Sequence, residues 1–177
     1  MSKPSTTLFA ALLATTLALP AFAAERASAR IVDRQGAEVG SATLVEGPHG
    51  VLIHVVAKGL PPGPKAIHIH SVGTCADGAQ GFVASKGHLN PAARPHGLMN
   101  PDGPDAGDLP NLFVHADGGV EAEFFTALAS LSGAGGRAAI LDADGAALVI
   151  HENRDDHASQ PIGGAGGRFF CGAIRAQ

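Results

Sequence analysis

Short apolar runs punctuated by Gly and Pro recur along most of the chain and predict strands rather than helices. Alternating or continuous apolar patterns bounded by turn residues place candidate strands at 27–34, 40–46, 51–57, 65–71, 111–116, 120–126, 137–142, 146–152 and 168–175. The run Asp142-Ala143-Asp144-Gly145 separates two of them and resembles a hairpin loop. No stretch keeps a helical spacing of apolar residues between capping residues. We therefore predict an all-β domain.

Two long segments lack this strand pattern. Residues 72–110 are rich in Gly, Pro, His and Asp, and residues 153–167 end in Gly163-Gly164-Ala165-Gly166-Gly167. Loops of this length in a compact domain are usually functional or disordered. Several histidines fall in and beside these two segments, which favours a functional role for both loops.

The first residues have the pattern of a secretory signal peptide. Lys3 precedes a mostly apolar run at 8–22, and Ala21-Phe22-Ala23 fits the small-residue rule for cleavage after Ala23. A membrane anchor is the alternative, but this run contains a proline and is shorter than the roughly 20 apolar residues that a span needs. We predict a signal peptide at 1–23, a single exported domain at 24–177 and no membrane association after cleavage.

Composition and charge narrow the classes of function. The chain has 177 residues, of which 45% are hydrophobic and 16% charged, as is typical of a globular domain with a sizeable core. Its formal net charge is −4, and it contains no Trp or Tyr to stack on bases. We therefore expect no nucleic-acid partner, and an anionic substrate would need local positive charge.

The chain has two cysteines, Cys75 and Cys171, which we interpret as one disulfide because an exported domain meets an oxidising compartment. The bond would close a loop of about 100 residues, to which the chain-entropy model assigns about 4–5 kcal/mol of stabilisation. Two unpaired buried thiols are the alternative, which export disfavours.

Two histidines alternate with isoleucines in the predicted strand at 65–71. Residues i and i+2 of a strand point to the same face, so Ile67 and Ile69 would face the core while His68 and His70 share the other face. Two parallel imidazoles can hold one metal ion. A pair of exposed histidines remains the alternative reading of this motif.

The long loop at 72–110 carries further ligand-type side chains. His88 and His96 are followed by Asp105 and Asp108, and imidazoles and carboxylates at these separations suit a four-coordinate, zinc-like site. A metal would also fix a loop that is otherwise costly to order. The alternative is a solvated polar loop.

Five other histidines lie outside these motifs. His151 ends the apolar run 147–150, at the point where a strand enters the second loop. The remaining four are expected to be structural or solvated: His49, His54, His115 and His157.

Five motifs follow one another along the mature chain: Ala66-Ile67-His68-Ile69-His70, Gly87-His88-Leu89-Asn90-Pro91, Gly107-Asp108-Leu109-Pro110, Val149-Ile150-His151-Glu152 and Gly167-Arg168-Phe169-Phe170-Cys171-Gly172. Together they resemble the copper–zinc superoxide dismutase family, and the Gly-Asp-Leu-Pro run and the signal segment are similar to exported, periplasmic bacterial members. The resemblance implies an eight-stranded antiparallel Greek-key β-sandwich of Ig-like architecture with two long functional loops. The nine predicted segments fit this fold if two are parts of one strand.

The resemblance also implies roles for individual residues. Copper would be held by His68, His70, His88 and His151, with His88 bridging to zinc as an imidazolate. His96 and Asp108 match zinc ligands, whereas Asp105 stands where the family has a third zinc histidine. We expect zinc to bind to His88, His96, Asp105 and Asp108. Further matches are Asp155, a carboxylate linking a copper histidine to a zinc histidine; Arg168, a cation that guides the anion; and Cys75 with Cys171, the family disulfide.

The activity implied is conversion of superoxide to dioxygen and hydrogen peroxide by one-electron cycling of the bound copper. Arg168 and His88 would take part in catalysis, His88 as the proton carrier. A non-catalytic periplasmic copper-binding or metal-buffering protein on the same fold is the alternative, although it would need neither the bridge nor the arginine. A purely structural, adhesion-like sandwich leaves the ordered histidines unexplained. Family members occur as monomers and dimers, so a homodimer stays open.

Overall fold

The computed structural model describes residues 25–177, and the signal peptide predicted at 1–23 lies outside the described residues. Between 25 and 177 the chain forms eleven strands: β1 Arg26–Val32, β2 Glu38–Gly47, β3 Gly50–Ala57, β4 Gly63–Lys65, β5 Ile67–His70, β6 Leu112–Val114, β7 Val120–Thr126, β8 Ala129–Ser130, β9 Ala138–Ala139, β10 Ala147–His151 and β11 Arg168–Ala176. Three single-turn 3-10 helices lie at Gly78–Gln80, Val83–Ser85 and Ala134–Gly136. No helix in the described part is long and apolar enough to cross a membrane.

Seven strands form one antiparallel sheet in the order β5-β10-β11-β1-β2-β3-β7. Three pairs of neighbours, β5–β10, β11–β1 and β3–β7, are distant along the chain, so long connections cross from one half of the sheet to the other. A second, two-stranded sheet pairs β4 with β6. Because β4 and β5 are separated only by Ala66, they act as two parts of one strand, and the larger strands then number eight.

The alternation of apolar and polar residues places the core. In β3, Val51, Ile53 and Val55 are fully buried, whereas Leu52 on the other face is 40% exposed. Burying each such aliphatic side chain is worth about 1.5–3 kcal/mol. The inward residues of β1, β2, β3 and β7 pack with those of β5, β10 and β11 in one continuous core.

One predicted strand and one predicted hairpin are wrong. Of the segment 137–142, only the two residues of β9 are in a strand, and they pair in parallel with β8, which the sequence pattern did not reveal. Asp142 Oδ1 accepts a hydrogen bond from the backbone N–H of Gly145, so a turn is present. The turn makes no hairpin, because β10 is paired on both edges, with β5 and β11.

The loop at 71–111 is fastened to the free edge of β5. The N–H of Leu89 donates to the carbonyl of Ile69 at 2.8 Å, and the N–H of Ile69 donates to the carbonyl of Gly107 at 2.9 Å. A Cβ atom on Gly107 would lie 2.3 Å from the Ile69 carbonyl oxygen, so only glycine permits this approach. Two distant parts of the loop are thereby held beside β5.

The predicted disulfide is confirmed: Cys75 and Cys171 are bonded, with 5.7 Å between their Cα atoms. It joins the loop to β11 over a small buried cluster on the face of the sheet opposite the main core, which contains Phe82, Val32 and Val149. The bond therefore holds the segment that follows Cys75 against β1, β10 and β11, of which β10 carries His151.

Reduction of this disulfide should lower the free energy of unfolding by about 4–5 kcal/mol, because the unfolded chain regains the freedom of a loop of nearly 100 residues. Urea unfolding of the metal-free protein with and without reductant measures the difference. A Cys75→Ala/Cys171→Ala variant, measured with and without reductant, is the control and should show no response. A change below about 1 kcal/mol in the native chain would contradict the expectation.

Candidate metal centre

Two strands and one loop bring four histidines together. His68 and His70 lie on β5, His151 ends the neighbouring strand β10, and His88 lies in the loop segment that forms an isolated bridge with His70. One ligand-type atom from each of these four side chains lies within 4.8 Å of the others. His68 and His70 are almost completely buried, so they are not an exposed pair.

Hydrogen bonds on one side of two rings determine which nitrogen is free on the other. His70 Nδ1 donates to the carbonyl of Lys86 at 2.8 Å, and His151 Nδ1 donates to the carbonyl of Gly166 at 3.3 Å. In the neutral rings both Nε2 atoms therefore carry lone pairs, and these atoms face each other at 3.4 Å. Two lone pairs in this position repel each other unless a cation or a proton lies between them.

The other two rings follow the same pattern. His68 Nε2 donates to Asp155 Oδ2 at 2.9 Å, and His88 Nδ1 lies 2.9 Å from Asp105 Oδ2. The remaining nitrogens, His68 Nδ1 and His88 Nε2, are buried and have no hydrogen-bond partner. Burial of a polar atom without a partner costs free energy. A metal ion bound to the lone pairs of these two nitrogens would remove that cost, so both atoms are suitable metal ligands. Imidazole nitrogens are ligands that suit copper and zinc.

Burial keeps three of the four rings of the first set neutral. Desolvation, with the neighbouring imidazoles His151 and His88, lowers the pKa of His70 well below its ordinary value. Desolvation and the adjacent His68 lower the pKa of His151 to about 3. Desolvation also lowers the pKa of His68, although Asp155 opposes the shift. Neutral imidazoles are the form that binds metal ions.

A second set of donors adjoins the first. One ligand-type atom from each of His68, His88, His96 and Asp108 lies within 4.8 Å of the others. His96 Nδ1 is 2.6 Å from Asp108 Oδ1, and His88 Nδ1 is 3.5 Å from the same oxygen. His68 and His88 thus belong to both sets, and the two sets form one continuous centre.

Asp105 lies at the edge of the second set. It is 3% exposed, and its Oδ2 lies 2.9 Å from His88 Nδ1, although it is not among the four donors within 4.8 Å of one another. Its Oδ1 accepts the N–H of Gly107, and its own N–H donates to Asp108 Oδ2 at 3.0 Å. The two carboxylates are therefore held beside the same imidazole.

In the second set, neighbouring carboxylates raise the pKa values of the histidines instead of leaving burial to lower them. Burial would lower the pKa of His96, but hydrogen bonds to Asp108 and Asp155 outweigh it and raise the pKa to about 10. In the same way, Asp105 and Asp108 raise the pKa of His88 against its burial. Burial would raise the pKa of Asp108, but the hydrogen bonds from His88 and His96 hold it well below its ordinary value.

Asp155 joins the two sets. It is fully buried, its Oδ2 accepts from His68 Nε2, and its Oδ1 lies 3.1 Å from His96 Nε2. Burial would raise its pKa, but these two imidazoles hold it far below the ordinary value. A carboxylate that accepts from a histidine of each set fixes both ring orientations at once.

Arg168 lines an open cavity of about 750 Å³ that His70, His88 and His151 also line. Its Nη1 donates to the carbonyl of Phe82 at 2.5 Å and its Nη2 to the carbonyl of Lys86 at 2.6 Å. The loop that carries Phe82 is the one held by the disulfide, so the guanidinium position depends on that bond.

The same cavity is lined by two arginines that the sequence analysis did not single out, Arg34 and Arg94. Arg34 Nε donates to the carbonyl of Arg168 at 2.8 Å, and its Nη2 pairs with Glu152 at 3.4 Å. Arginines are common on surfaces, and no motif distinguishes these two.

Residues 38–174 match the family model of copper/zinc superoxide dismutase (SODC). The chain belongs to this family. A superoxide dismutase (Cu-Zn) of Caulobacter vibrioides is 50% identical to this member over 150 residues, which cover 84% of this chain and 85% of the relative. The superoxide dismutase-like protein YojM of Bacillus subtilis is 40% identical over 147 residues, which cover 82% of this chain and 74% of that protein.

Solved structures show the same architecture. A SOD-like protein from Bacillus subtilis superposes with a TM-score of 0.77 at 39% identity, covering 82% of this chain and 96% of that structure. A Cu/Zn superoxide dismutase from Brucella abortus superposes with a TM-score of 0.67 at 29% identity, covering 85% and 100%. The predicted β-sandwich of the copper/zinc superoxide dismutase type is confirmed.

His157 is partly buried and is not among the donors of either set. Its side chain is 17% exposed, and its Nδ1 lies 3.4 Å from Asp155 Oδ2. The sequence places it two residues after Asp155 in a polar loop, and nothing in that pattern reveals that the chain turns back on itself there.

In the metal-free protein, the pKa of His96 should lie above the ordinary value for histidine and the pKa of His151 below it. Between about pH 5 and pH 8, His96 should stay protonated and His151 neutral, whereas an unperturbed imidazole titrates within this range. Because the folded pKa of His96 is raised, its proton stabilises the fold below the ordinary value of 6.5, and this stabilisation is lost as the pH rises through about 10. Ring nitrogen chemical shifts measured by NMR will report both states. Titration of His96 near 6.5 would contradict the conclusion that Asp108 and Asp155 raise its pKa.

Proposed function

We propose that this chain is a superoxide dismutase that converts two superoxide ions and two protons to dioxygen and hydrogen peroxide. Copper would be held by His68, His70, His88 and His151, and zinc by His88, His96, Asp105 and Asp108. The observation that carries the proposal is the convergence of four imidazoles, with ring nitrogens within 4.8 Å of one another, beside a cavity that three of them line together with Arg168. Membership of the family supports the same activity.

Copper, when bound, would supply the one-electron oxidation and reduction that the reaction needs, which zinc cannot do. The role of His88 follows from its two faces. Its Nδ1 faces Asp105 and Asp108, while its Nε2 is buried and unpartnered among the first set. His88 can therefore hold a proton at Nε2 and release it to a substrate oxygen in the cavity, which is general acid catalysis.

Arg168 is the cation that would attract superoxide. Guanidinium has five N–H donors, and the hydrogen bonds of Arg168 within 25–177 use three of them, to Phe82, Ser85 and Lys86. The others are free to bind an anion. The protein as a whole is negative, so local positive charge in a cleft is needed to draw an anion to this site.

A copper-binding protein without catalytic activity is the competing function. Such a protein needs the four imidazoles but gains nothing from a guanidinium held in the cavity wall by three hydrogen bonds. The position of Arg168 therefore favours the enzyme.

We also propose that the chain is exported to the periplasm after cleavage behind Ala23. The signal-like pattern at 1–23 supports this location, and the Cys75–Cys171 disulfide fits an oxidising compartment.

A superoxide assay on protein loaded with copper, with and without zinc, tests the activity, and one variant tests the guiding role. Arg168→Ser should lower the rate about tenfold or more and weaken its dependence on salt, because electrostatic steering raises association rates by at least that factor. Metal content should not change. The matched control is Arg30→Ser, which removes an exposed arginine outside the cavity.

A wild-type protein that binds copper without accelerating superoxide loss would support the metal-binding alternative. An Arg168→Ser variant as active as the wild type, with unchanged salt dependence, would remove the guiding role of the arginine and leave the copper assignment standing.

Metal analysis of protein reconstituted with both metals should find about one zinc per chain. Asp105→Ala should weaken zinc binding by at least about tenfold, because changes even in the outer partners of a metal site have this effect. Asp105→His should retain zinc. Asp102→Ala is the control, since Asp102 is an exposed carboxylate of the same loop. Full activity with copper alone would overturn the zinc assignment.

A further inference from the structure

Each polar atom of Asp155 has a partner in the fold. Its two carboxylate oxygens accept from His68 and His96, as described above. Its N–H donates to Asn111 Oδ1 at 2.9 Å, and its carbonyl accepts from Asn111 Nδ2 at 2.9 Å. Oδ1 also accepts the backbone N–H of His157 at 2.6 Å. Asn111 and His157 thus hold the backbone and the side chain of Asp155, in addition to the contacts of its carboxylate with His68 and His96.

The ring of His157 completes this arrangement. Asn111 Nδ2 lies 2.9 Å from His157 Nε2, and because an amide NH2 only donates, Nε2 is the acceptor. The proton of the neutral ring is therefore on Nδ1, which is buried, has no hydrogen-bond partner and lies 3.4 Å from Asp155 Oδ2. The ring N–H thus lies beside the carboxylate without a hydrogen bond to it, and its attraction to the negative charge adds to the hydrogen bond from the His157 backbone N–H.

The backbone holds His157 in this place at a conformational cost. Its φ is +62°, in the left-handed region that residues other than glycine rarely adopt, although Asn, Asp and His do so more often than the others. Its carbonyl accepts the N–H of Met99 at 2.9 Å, and a Cβ on Gly97 would lie 2.4 Å from that carbonyl oxygen. His157 is thus wedged between the second loop and the part of the first loop that carries His96.

We infer that His157 is a positioning residue, which holds the Asp155 carboxylate between His68 and His96 through its ring and backbone N–H groups. This inference rests on the proposed function, because it concerns the retention of copper and zinc. His157 contacts neither proposed set of metal ligands directly. Its loss should nevertheless weaken both sites, because Asp155 orients one histidine of each.

The test is the release of each metal to a chelator from protein loaded with both copper and zinc. His157→Gly removes the ring and suits the positive φ, so the backbone can keep its conformation. His157→Asn also tolerates this φ and places an amide N–H close to where Nδ1 was. The control is His54→Ala, which breaks a His–carboxylate contact of 2.9 Å with exposed Glu121, remote from the histidine cluster.

We expect His157→Gly to release both zinc and copper about tenfold faster than wild type, and His157→Asn to restore most of the difference. His54→Ala should release both at the wild-type rate. Thermal unfolding of the metal-free variants shows that each is folded. Unchanged release of both metals from His157→Gly, or faster release of zinc alone, would overturn the inference. Equal release from the Gly and Asn variants would also overturn it, because it would assign the effect to the backbone.

Wild-type protein in the same assay distinguishes a failure of the inference on His157 from a failure of the proposed function. If it retains copper and zinc while the variants behave like wild type, the inference on His157 fails and the proposed function stands. If wild type retains neither metal after reconstitution, the proposed function fails and the inference fails with it.

Discussion

The edge of β5 is the constraint on which the centre depends. A strand that carries His68 and His70 on one face needs partners for its backbone on both sides, and β10 supplies them on only one. The loop supplies the other: Leu89 and Gly107 bond to the two backbone groups of Ile69, and His88 and Asp108 lie next to them in sequence. Ordinary backbone pairing thus brings donors distant along the chain to one place, and a side chain at 107 would prevent it.

Much of this arrangement could be predicted from local sequence. The β3 strand follows from the alternation of Val51, Ile53 and Val55 with outward residues, and period two places His68 and His70 on one face. The parallel pairing of β9 with β8 could not be predicted, because two residues carry no period. The packing of His157 against Asp155 was also missed, since it depends on a left-handed backbone conformation that is uncommon for any residue except glycine and that no local motif indicates. Family resemblance supplied the ligand roles, which neither spacing nor composition gives.

The histidines of the two neighbouring sets differ in pKa because different groups surround their rings. The rings of His70 and His151 face one another and backbone carbonyls, so burial dominates and their pKa values fall. His96 is also desolvated, yet it contacts Asp108 and Asp155, and these carboxylates raise its pKa. Desolvation and ion pairing thus act with opposite sign within one cluster.

This difference has a consequence for the charge that faces the cavity. Neutral imidazoles do not cancel the charge of a cation that they bind, so His68, His70 and His151 would leave a metal at the first set positive beside Arg168. The imidazolate of His88 would be shared between the two sets. Asp105 and Asp108 would instead offset the charge of a metal at the second set. An incoming anion would then meet its strongest attraction at the set where electron transfer is needed, although the protein has a net negative charge. Asp105 would thus do more than replace a histidine, because its carboxylate would make the second set less attractive to an anion. The first set, with Arg168, would then be the positive end of the site.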